Sequence, residues 1–215
     1  MGTVTIAASF GAGGSVVAPA VAERLGLTLV GRAIPVAVAE DLDHPLIAAL
    51  AEDERHDHGA VRRLLDRAVA HSGLFVGFPT PLDHLGVDQQ VAQGEEAIRQ
   101  LAEGKGAVIL GRAAVFVLKG RPNVLHARLD GPLEARRRQA MVHEGINYET
   151  ASAQQQRTDR AREAYVTHFH PEDGAWEDPR HYQLMIDSTA VSLEACVELI
   201  VLAAEDMFGM TSSSR

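Results

Sequence analysis

The chain of 215 residues has almost no cysteine, few lysines and no long hydrophobic segment. Its single cysteine, Cys196, has no partner for an internal disulfide, and its place in the apolar run 193–202 predicts a buried small side chain. No apolar run approaches the roughly 18 residues of a membrane span, and the amino terminus lacks the basic and then apolar layout of a signal peptide. These absences predict a cytoplasmic protein with no membrane partner.

Acidic residues outnumber basic ones, and lysine is scarce. The formal net charge is -9 at pH 7, and the only lysines are Lys105 and Lys119. Because nucleic-acid phosphates need a basic surface, this balance argues against a nucleic-acid partner. If the protein binds phosphate, it must therefore do so at a small site and not on a broad basic surface.

Hydrophobic residues make up 46% of the chain, which is enough for one sizeable core. Short apolar runs alternate with helical patterns, as in a parallel sheet that is covered on both faces. This pattern predicts an α/β fold with a single domain over residues 1–208 and a flexible tail over 209–215. We expect five strands and a last helix that Ser192 caps and that ends near Met207. The predicted strands are 3–8, 27–30, 107–110, 123–129 and 183–186.

A long segment, 31–105, separates the second predicted strand from the third. It is far longer than one crossover needs. Helical patterns near 34–51, 60–70 and 91–102 predict a helical insertion over the mouth of the sheet.

A glycine-rich turn, Ser9-Phe10-Gly11-Ala12-Gly13-Gly14-Ser15, joins the first strand to a helical pattern at 16–25. Glycines let the backbone bend tightly and point successive N–H groups at one place, and the helix adds its positive end. The turn therefore predicts a phosphate site on Gly11, Ala12, Gly13, Gly14 and Ser15.

The turn also fits the phosphate-loop spacing G-x-x-x-x-G-K-[ST], with Gly13 as the second glycine and Ser15 as the hydroxyl ligand of Mg²⁺. Two fixed positions differ. Ala8 stands where the first glycine belongs, and Gly14 stands where the lysine belongs. The missing lysine is the main functional question that the sequence raises.

Arg112 follows Gly111 directly after the predicted strand 107–110. In open parallel sheets ligands bind beyond the carboxyl ends of the strands, and a guanidinium group suits a phosphate. A surface arginine that caps the strand end is an equally good interpretation of this fragment.

Arginines are dense in the region that begins at Pro132. Arg136, Arg137 and Arg138 spread over about 200° of a helix, so at most two of them face one ligand. On a second helical pattern, Asp159 and Arg162 lie three residues apart, where the carboxylate can orient the guanidinium. A solvated helix hairpin with surface ion pairs is the alternative interpretation.

Taken in order, these motifs resemble those of the cytidylate-kinase-like family, a branch of the P-loop nucleoside monophosphate kinases that lacks the loop lysine. Four motifs carry the resemblance. They comprise Ser9, Phe10, Gly11, Ala12, Gly13, Gly14, Val17 and Ala18; Gly111, Arg112 and Ala114; Asp159, Arg160, Arg162 and Tyr165; and Asp187, Ser188, Thr189 and Ser192.

The resemblance implies the P-loop NTPase three-layer fold with a five-stranded parallel sheet, an acceptor-binding insertion at 31–105 and a lid hairpin at 132–172. It implies ATP and Mg²⁺, and phosphoryl transfer to a nucleoside monophosphate, cytidylate-like, or to a similar small phosphorylated acceptor. The alternative is a nucleotide-binding sensor with little or no kinase activity, which Gly14 and Gly31 favour. Relatives commonly carry an aspartate at the place of Gly31.

Residue roles follow from the resemblance by position. Gly11 to Ser15 would hold phosphate, Ser15 would bind Mg²⁺, and Arg32 and Arg112 would contact the acceptor. Charge in the transition state would be neutralised by Arg162 with Arg136 or Arg137, and Asp159 would orient Arg162. The lid arginines are expected to reach the loop only when the lid closes.

Two histidine pairs and one tryptophan complete the candidates. His56, His58, His168 and His170 lack the spacing of a zinc site and are predicted to lie in solvated loops. Trp176, the only tryptophan, is predicted to pack against the lid. The sequence does not determine the oligomeric state, and a homodimer stays open.

Overall fold

The computed structural model of the protein describes residues 2–31, 87–111 and 113–209. Their strands form one five-stranded parallel sheet in the order β2-β3-β1-β4-β5. The five predicted strands are confirmed, and their ends shift by no more than one residue. The strands are β1 (Thr3–Ala8), β2 (Thr28–Val30), β3 (Ala107–Leu110), β4 (Val124–Asp130) and β5 (Leu184–Asp187).

Helices connect these strands and cover the sheet. The last of them begins after Ser192, whose hydroxyl accepts a hydrogen bond from the Ala195 N–H, as the sequence predicted. The helices of the described residues are α1 (Gly14–Leu25), α2 (Val87–Glu103), α3 (Ala114–Val117), α4 (Leu133–Glu144), α5 (Tyr148–Phe169) and α6 (Leu193–Met207), with a 3₁₀ turn at Pro179–His181.

The central strand β1 is buried on both faces, and its successive side chains point to opposite sides of the sheet. On one face Ile6 and Ala8 pack with α1 and with α6, where Cys196 is fully buried as predicted. On the other face Ala7 packs with α5, and β3 packs with α2 and α3. The three-layer α/β fold is therefore confirmed.

The predicted hairpin is formed by α4 and α5. Pro132 precedes α4, Gly145 ends it with a φ of 68°, and the Asn147 side chain caps α5 by accepting a hydrogen bond from the Thr150 N–H. The hairpin lies directly on the glycine-rich turn. A Cβ atom added to Gly11 would collide with the carbonyl oxygen of Arg136, so this contact requires glycine.

Most of the predicted insertion lies outside the described residues. This holds for the helical patterns at 34–51 and 60–70, while the pattern at 91–102 is confirmed as part of α2. None of the helices that the structure describes is both long and apolar enough to cross a membrane.

Candidate functional site

The glycine-rich turn leaves the carboxyl end of β1 and enters α1. Gly11 and Gly13 have φ values of 74° and 75°, in the left-handed region that glycine adopts without strain. Gly13 is also the residue before the first turn of α1. The residue types that predicted the turn are therefore required by its backbone.

Four side chains hold the carbonyl oxygens of this turn. Arg162 donates to the Ala8 oxygen at 2.7 Å and Arg136 to the Phe10 oxygen at 2.9 Å. Gln139 donates to the Gly11 oxygen at 2.9 Å. The Ala12 oxygen accepts a hydrogen bond of 2.8 Å from the Ser188 hydroxyl, which follows β5. The peptide planes of the turn are thus fixed by groups from three separate parts of the chain.

The N–H groups of Ser9, Phe10 and Ala12 are used inside the protein, on Leu129, Asp159 and Ser9, so Ala12 does not offer its N–H group to a ligand as the sequence predicted. Within residues 2–31, 87–111 and 113–209, the N–H groups of Gly11, Gly13, Gly14 and Ser15 make no hydrogen bond to the protein. The Ser15 side chain likewise makes none there, and it is partly exposed at the start of α1. This arrangement leaves a set of backbone donors and one hydroxyl at the positive end of a helix, which suits an anion.

The position of the missing lysine is closed by packing. Gly14 is buried, and a Cβ atom added there would lie 2.6 Å from the Cβ atom of Ala8 and 3.2 Å from Leu110 Cδ1. Because the Ala8 methyl belongs to a buried strand, it cannot swing away as a long side chain would. The two departures from the phosphate-loop pattern are therefore sterically linked: alanine at position 8 requires glycine at position 14.

Asp159 joins the turn to the hairpin. Its carboxylate accepts hydrogen bonds from the Phe10 N–H at 3.1 Å, from Arg136 at 3.0 Å and from Gln155 at 2.8 Å. The Arg162 guanidinium lies 3.5 Å away. Burial would raise the pKa of the Asp159 carboxyl, but the charge of Arg162 and the hydrogen bond from Gln155 outweigh it and hold the pKa below its ordinary value.

The arginines of α4 divide as the helical geometry predicted. Arg136 faces the turn, and Arg137 faces α5, where it donates to Gln155 at 3.0 Å. Arg138 is exposed. Since Gln155 also donates to Asp159, Arg137 is connected to the turn only through intermediate side chains.

One alternative interpretation of the hairpin and one expectation about it are wrong. Arg136 and Arg162 are buried, with Arg162 only 2% exposed, so the interpretation as a solvated hairpin with surface ion pairs fails for them. Both already touch the turn, whereas the sequence led us to expect that the lid arginines arrive only on closure. Each guanidinium reaches a loop carbonyl because the hairpin is packed against Gly11.

Several residues of the site carried no sequence signal. Gln139 and Gln155 look like ordinary surface positions of a polar helix, and no motif distinguished them. Ser188 was part of the closing motif, but its bond to Ala12 joins residues 176 positions apart. Such pairings become visible only when the sheet brings the ends of β1, β4 and β5 together.

Arg32 and Arg112, the predicted acceptor contacts, lie outside the described residues, as do His56 and His58. The prediction that His170 lies in a solvated loop is wrong. His170 ends α5, its side chain is 10% exposed, and it lies 3.2 Å from Glu95 of α2. The described residues hold no cluster of three or more histidine, cysteine or acidic side chains that suits a metal ion.

Trp176 packs as predicted. Its ring is buried in a cluster with Ala161, Tyr165 and Val166 of α5, the second helix of the hairpin. The same ring also covers the sheet, where it lies against Arg128 of β4.

The fold of this chain resembles those of several solved proteins. An uncharacterized protein from Eubacterium ventriosum is 20% identical, with a TM-score of 0.64 over 95% of this chain and 99% of that chain. A gluconokinase from Sinorhizobium meliloti is 15% identical over 98% of both chains, with a TM-score of 0.48. A shikimate kinase from Acinetobacter baumannii is 12% identical over 98% of this chain and 95% of that chain, with a TM-score of 0.43. The likeness to the Eubacterium protein supports the fold, and the other two are too distant to support an argument.

No curated protein matches the chain. A family model does match it, over residues 3–190, and that model describes the cytidylate kinase-like family. The matched span includes the glycine-rich turn, the whole sheet and the hairpin. The chain therefore belongs to the cytidylate kinase-like family.

Proposed function

We propose that this chain is a phosphotransferase that binds ATP on the glycine-rich turn and transfers its terminal phosphoryl group to a nucleoside monophosphate, cytidylate-like, or to a similar small phosphorylated acceptor. Membership of the cytidylate kinase-like family supports the reaction class. The turn supports the site at which the triphosphate binds.

One observation carries this proposal. The carbonyl oxygens of Ala8, Phe10, Gly11 and Ala12 are all held by side chains, while four N–H groups of the turn, those of Gly11, Gly13, Gly14 and Ser15, make no hydrogen bond to the described part of the protein. Donors that are fixed before a ligand binds need no reorganisation when charge develops on it. A turn that is locked on its carbonyl side is therefore prepared to bind phosphate on its N–H side.

The charges behind the turn offset part of the loss of the lysine. Arg136 and Arg162 contact the turn from the hairpin, and they share the carboxylate of Asp159. Asp130 lies 3.4 Å from Arg136 but pairs more closely with Arg128, at 2.7 Å, and Glu177 lies 3.9 Å from Arg128. We propose that Arg136 and Arg162 stabilise the phosphoryl group in the transition state, with Asp159 as the residue that positions these two hairpin arginines.

We also propose roles in binding Mg²⁺, in binding the acceptor and in supporting Arg136 for residues that the sequence singled out. Ser15 is the side chain of the turn that would hold Mg²⁺, and its partly exposed hydroxyl fits that role. The metal supplies positive charge to the phosphates when it is bound. Arg32 and Arg112 would hold the acceptor, and Arg137 would support Arg136 through Gln155.

A nucleotide-binding sensor is the second candidate. The close approach of Ala8 to the position of the missing lysine favours it, because the standard cation cannot be accommodated in the present packing. The buried arginines favour the enzyme, since a protein that only bound nucleotide would not need two desolvated guanidinium groups at the turn.

The test is a screen for Mg²⁺-dependent phosphoryl transfer from ATP to each nucleoside monophosphate, read by formation of the diphosphate. We expect transfer to at least one acceptor. Arg136→Ala should reduce its rate by about 100-fold, the scale at which single electrostatic contacts act in such sites. Arg138→Ala is the matched control, because it removes an exposed arginine of the same helix. Binding of ATP without transfer to any monophosphate would favour the sensor.

A further inference from the structure

A further arginine, Arg128, lies beneath the turn and is not part of any motif. It stands on β4 opposite Ala7 of β1, and its side chain is completely buried. One of its terminal nitrogens donates to the Ser9 hydroxyl at 3.1 Å and to the Asp130 carboxylate at 2.7 Å. Ser9 is the first residue of the glycine-rich turn, so this guanidinium is one hydrogen bond from the backbone that would hold phosphate.

The other two nitrogens of Arg128 have an unusual environment. Within the described residues, Nε and the second terminal nitrogen are buried and have no hydrogen-bond partner. Instead, the guanidinium carbon lies 4.0 Å from the centre of the Trp176 ring and 5.8 Å from that of Tyr182. An aromatic face stabilises a cation there without forming a hydrogen bond.

Stability alone does not explain a charge in this place. A buried ion pair is often no more stable than well-packed apolar side chains of the same volume. Beside its polar partners, Arg128 adjoins an apolar cluster, in which its strand neighbour Ala7 packs with Ala161, Val166 and Trp176. A leucine or methionine would suit that cluster better than a guanidinium group with two nitrogens that have no hydrogen-bond partner among the described residues.

We propose that Arg128 is a positioning residue for phosphate binding. It fixes the Ser9 side chain at the entrance of the turn and holds a guanidinium group on the sheet side of it, paired with Asp130 and 3.9 Å from Glu177. Its stacking on the only tryptophan couples occupancy of the turn to the environment of that indole. This inference depends on the proposed function, because it assumes that the turn binds the triphosphate.

The test measures ATP binding in the presence of Mg²⁺ by calorimetry and by the emission of Trp176. The wild-type protein should bind ATP and change its emission on binding. Ser9→Ala removes the hydroxyl that joins Arg128 to the turn and creates almost no cavity. We expect it to weaken ATP binding by about threefold to tenfold, the range for one typical hydrogen bond, and to halve the emission change or reduce it further.

Arg128→Lys keeps the charge but loses the planar stacking, and should weaken ATP binding by at least about tenfold. Arg138→Lys is the matched control, since it makes the same change at an exposed arginine. It should bind ATP as the wild type does. Thermal unfolding of each variant separates a loss of fold from a loss of binding.

Two results would overturn the inference, and only one of them would also overturn the proposed function. If the wild type binds ATP while Ser9→Ala keeps both the affinity and the full emission change, Arg128 is only structural and the proposed function stands. If the wild type binds no ATP, the proposed function fails, and the role of Arg128 fails with it.

Discussion

Gly14 and Ala8 should behave as one unit when either is changed. A Cβ atom at position 14 would lie 2.6 Å from the Ala8 methyl, which is closer than two carbon atoms can approach without movement. Gly14 itself has no positive φ, so its backbone accepts any residue. The obstacle to a side chain at position 14 is therefore the Ala8 methyl, with Leu110 as a second and softer neighbour.

The size of this effect follows from packing energies. Extra atoms in a well-packed core cost about 1–3 kcal/mol, and Gly14→Ala alone should cost that much. Ala8→Gly should cost about 1 kcal/mol by itself, since it loses a buried methyl group and gains backbone freedom. In the Ala8→Gly background only the softer contact with Leu110 remains, at 3.2 Å, so Gly14→Ala should be close to neutral there. We thus expect a coupling free energy of about 1–3 kcal/mol between the two positions.

The assay is a double-mutant cycle measured by equilibrium unfolding in urea, with the wild type, both single variants and the double variant. Equal costs of Gly14→Ala in the two backgrounds would refute the steric argument. The same cycle with Gly14→Lys tests function. The Gly14→Lys variant should fold and transfer phosphoryl groups faster than the wild type only when it also carries Ala8→Gly, because only then does the lysine side chain have a path to the phosphates.

Three further predictions concern single residues. Asp159→Asn leaves Arg136 and Arg162 without their shared carboxylate, so the free energy of unfolding should fall by about 3–5 kcal/mol; a fall below about 1 kcal/mol would contradict the buried network. Burial lowers the pKa of His126 from an ordinary 6.5 to about 4. As the pH falls, the unfolded chain therefore binds a proton at this histidine before the folded protein does. The free energy of unfolding should decline between about pH 6.5 and pH 4. His126→Gln should flatten that part of the pH profile, and an unchanged profile would exclude this histidine as its origin. Ser192→Ala removes the cap of α6 and should reduce the free energy of unfolding by about 1 kcal/mol. Calorimetry should show this as a lower melting temperature, with no change in ATP binding.

The strands and the last helix were predictable because their signals are local. Strands of a covered parallel sheet are continuous apolar runs, and β1 and β3 were located to the residue. The Ser192 cap and the glycines of the turn are also local features. Their residue types are required by one helix end and by two backbone torsions, whatever lies around them.

The interior of the site was not predictable because its contacts join distant segments. Arg136 and Arg162 fit a solvated hairpin in sequence, since charged residues three apart are usually surface pairs. Their burial depends on the hairpin resting on Gly11, which no local pattern shows. The same holds for Gln139 and for Arg128, whose partners lie 128 and 119 positions away.

The central claim is that the backbone N–H groups of the turn hold the phosphates of the nucleotide. Two-dimensional ¹H–¹⁵N spectra of the labelled protein, titrated with ADP and Mg²⁺, measure this at each amide. The account predicts that the largest shifts fall on Gly11, Gly13, Gly14 and Ser15, whose N–H groups the described part of the protein leaves unused. Saturable shifts that fall elsewhere, with these four amides unmoved, would contradict it.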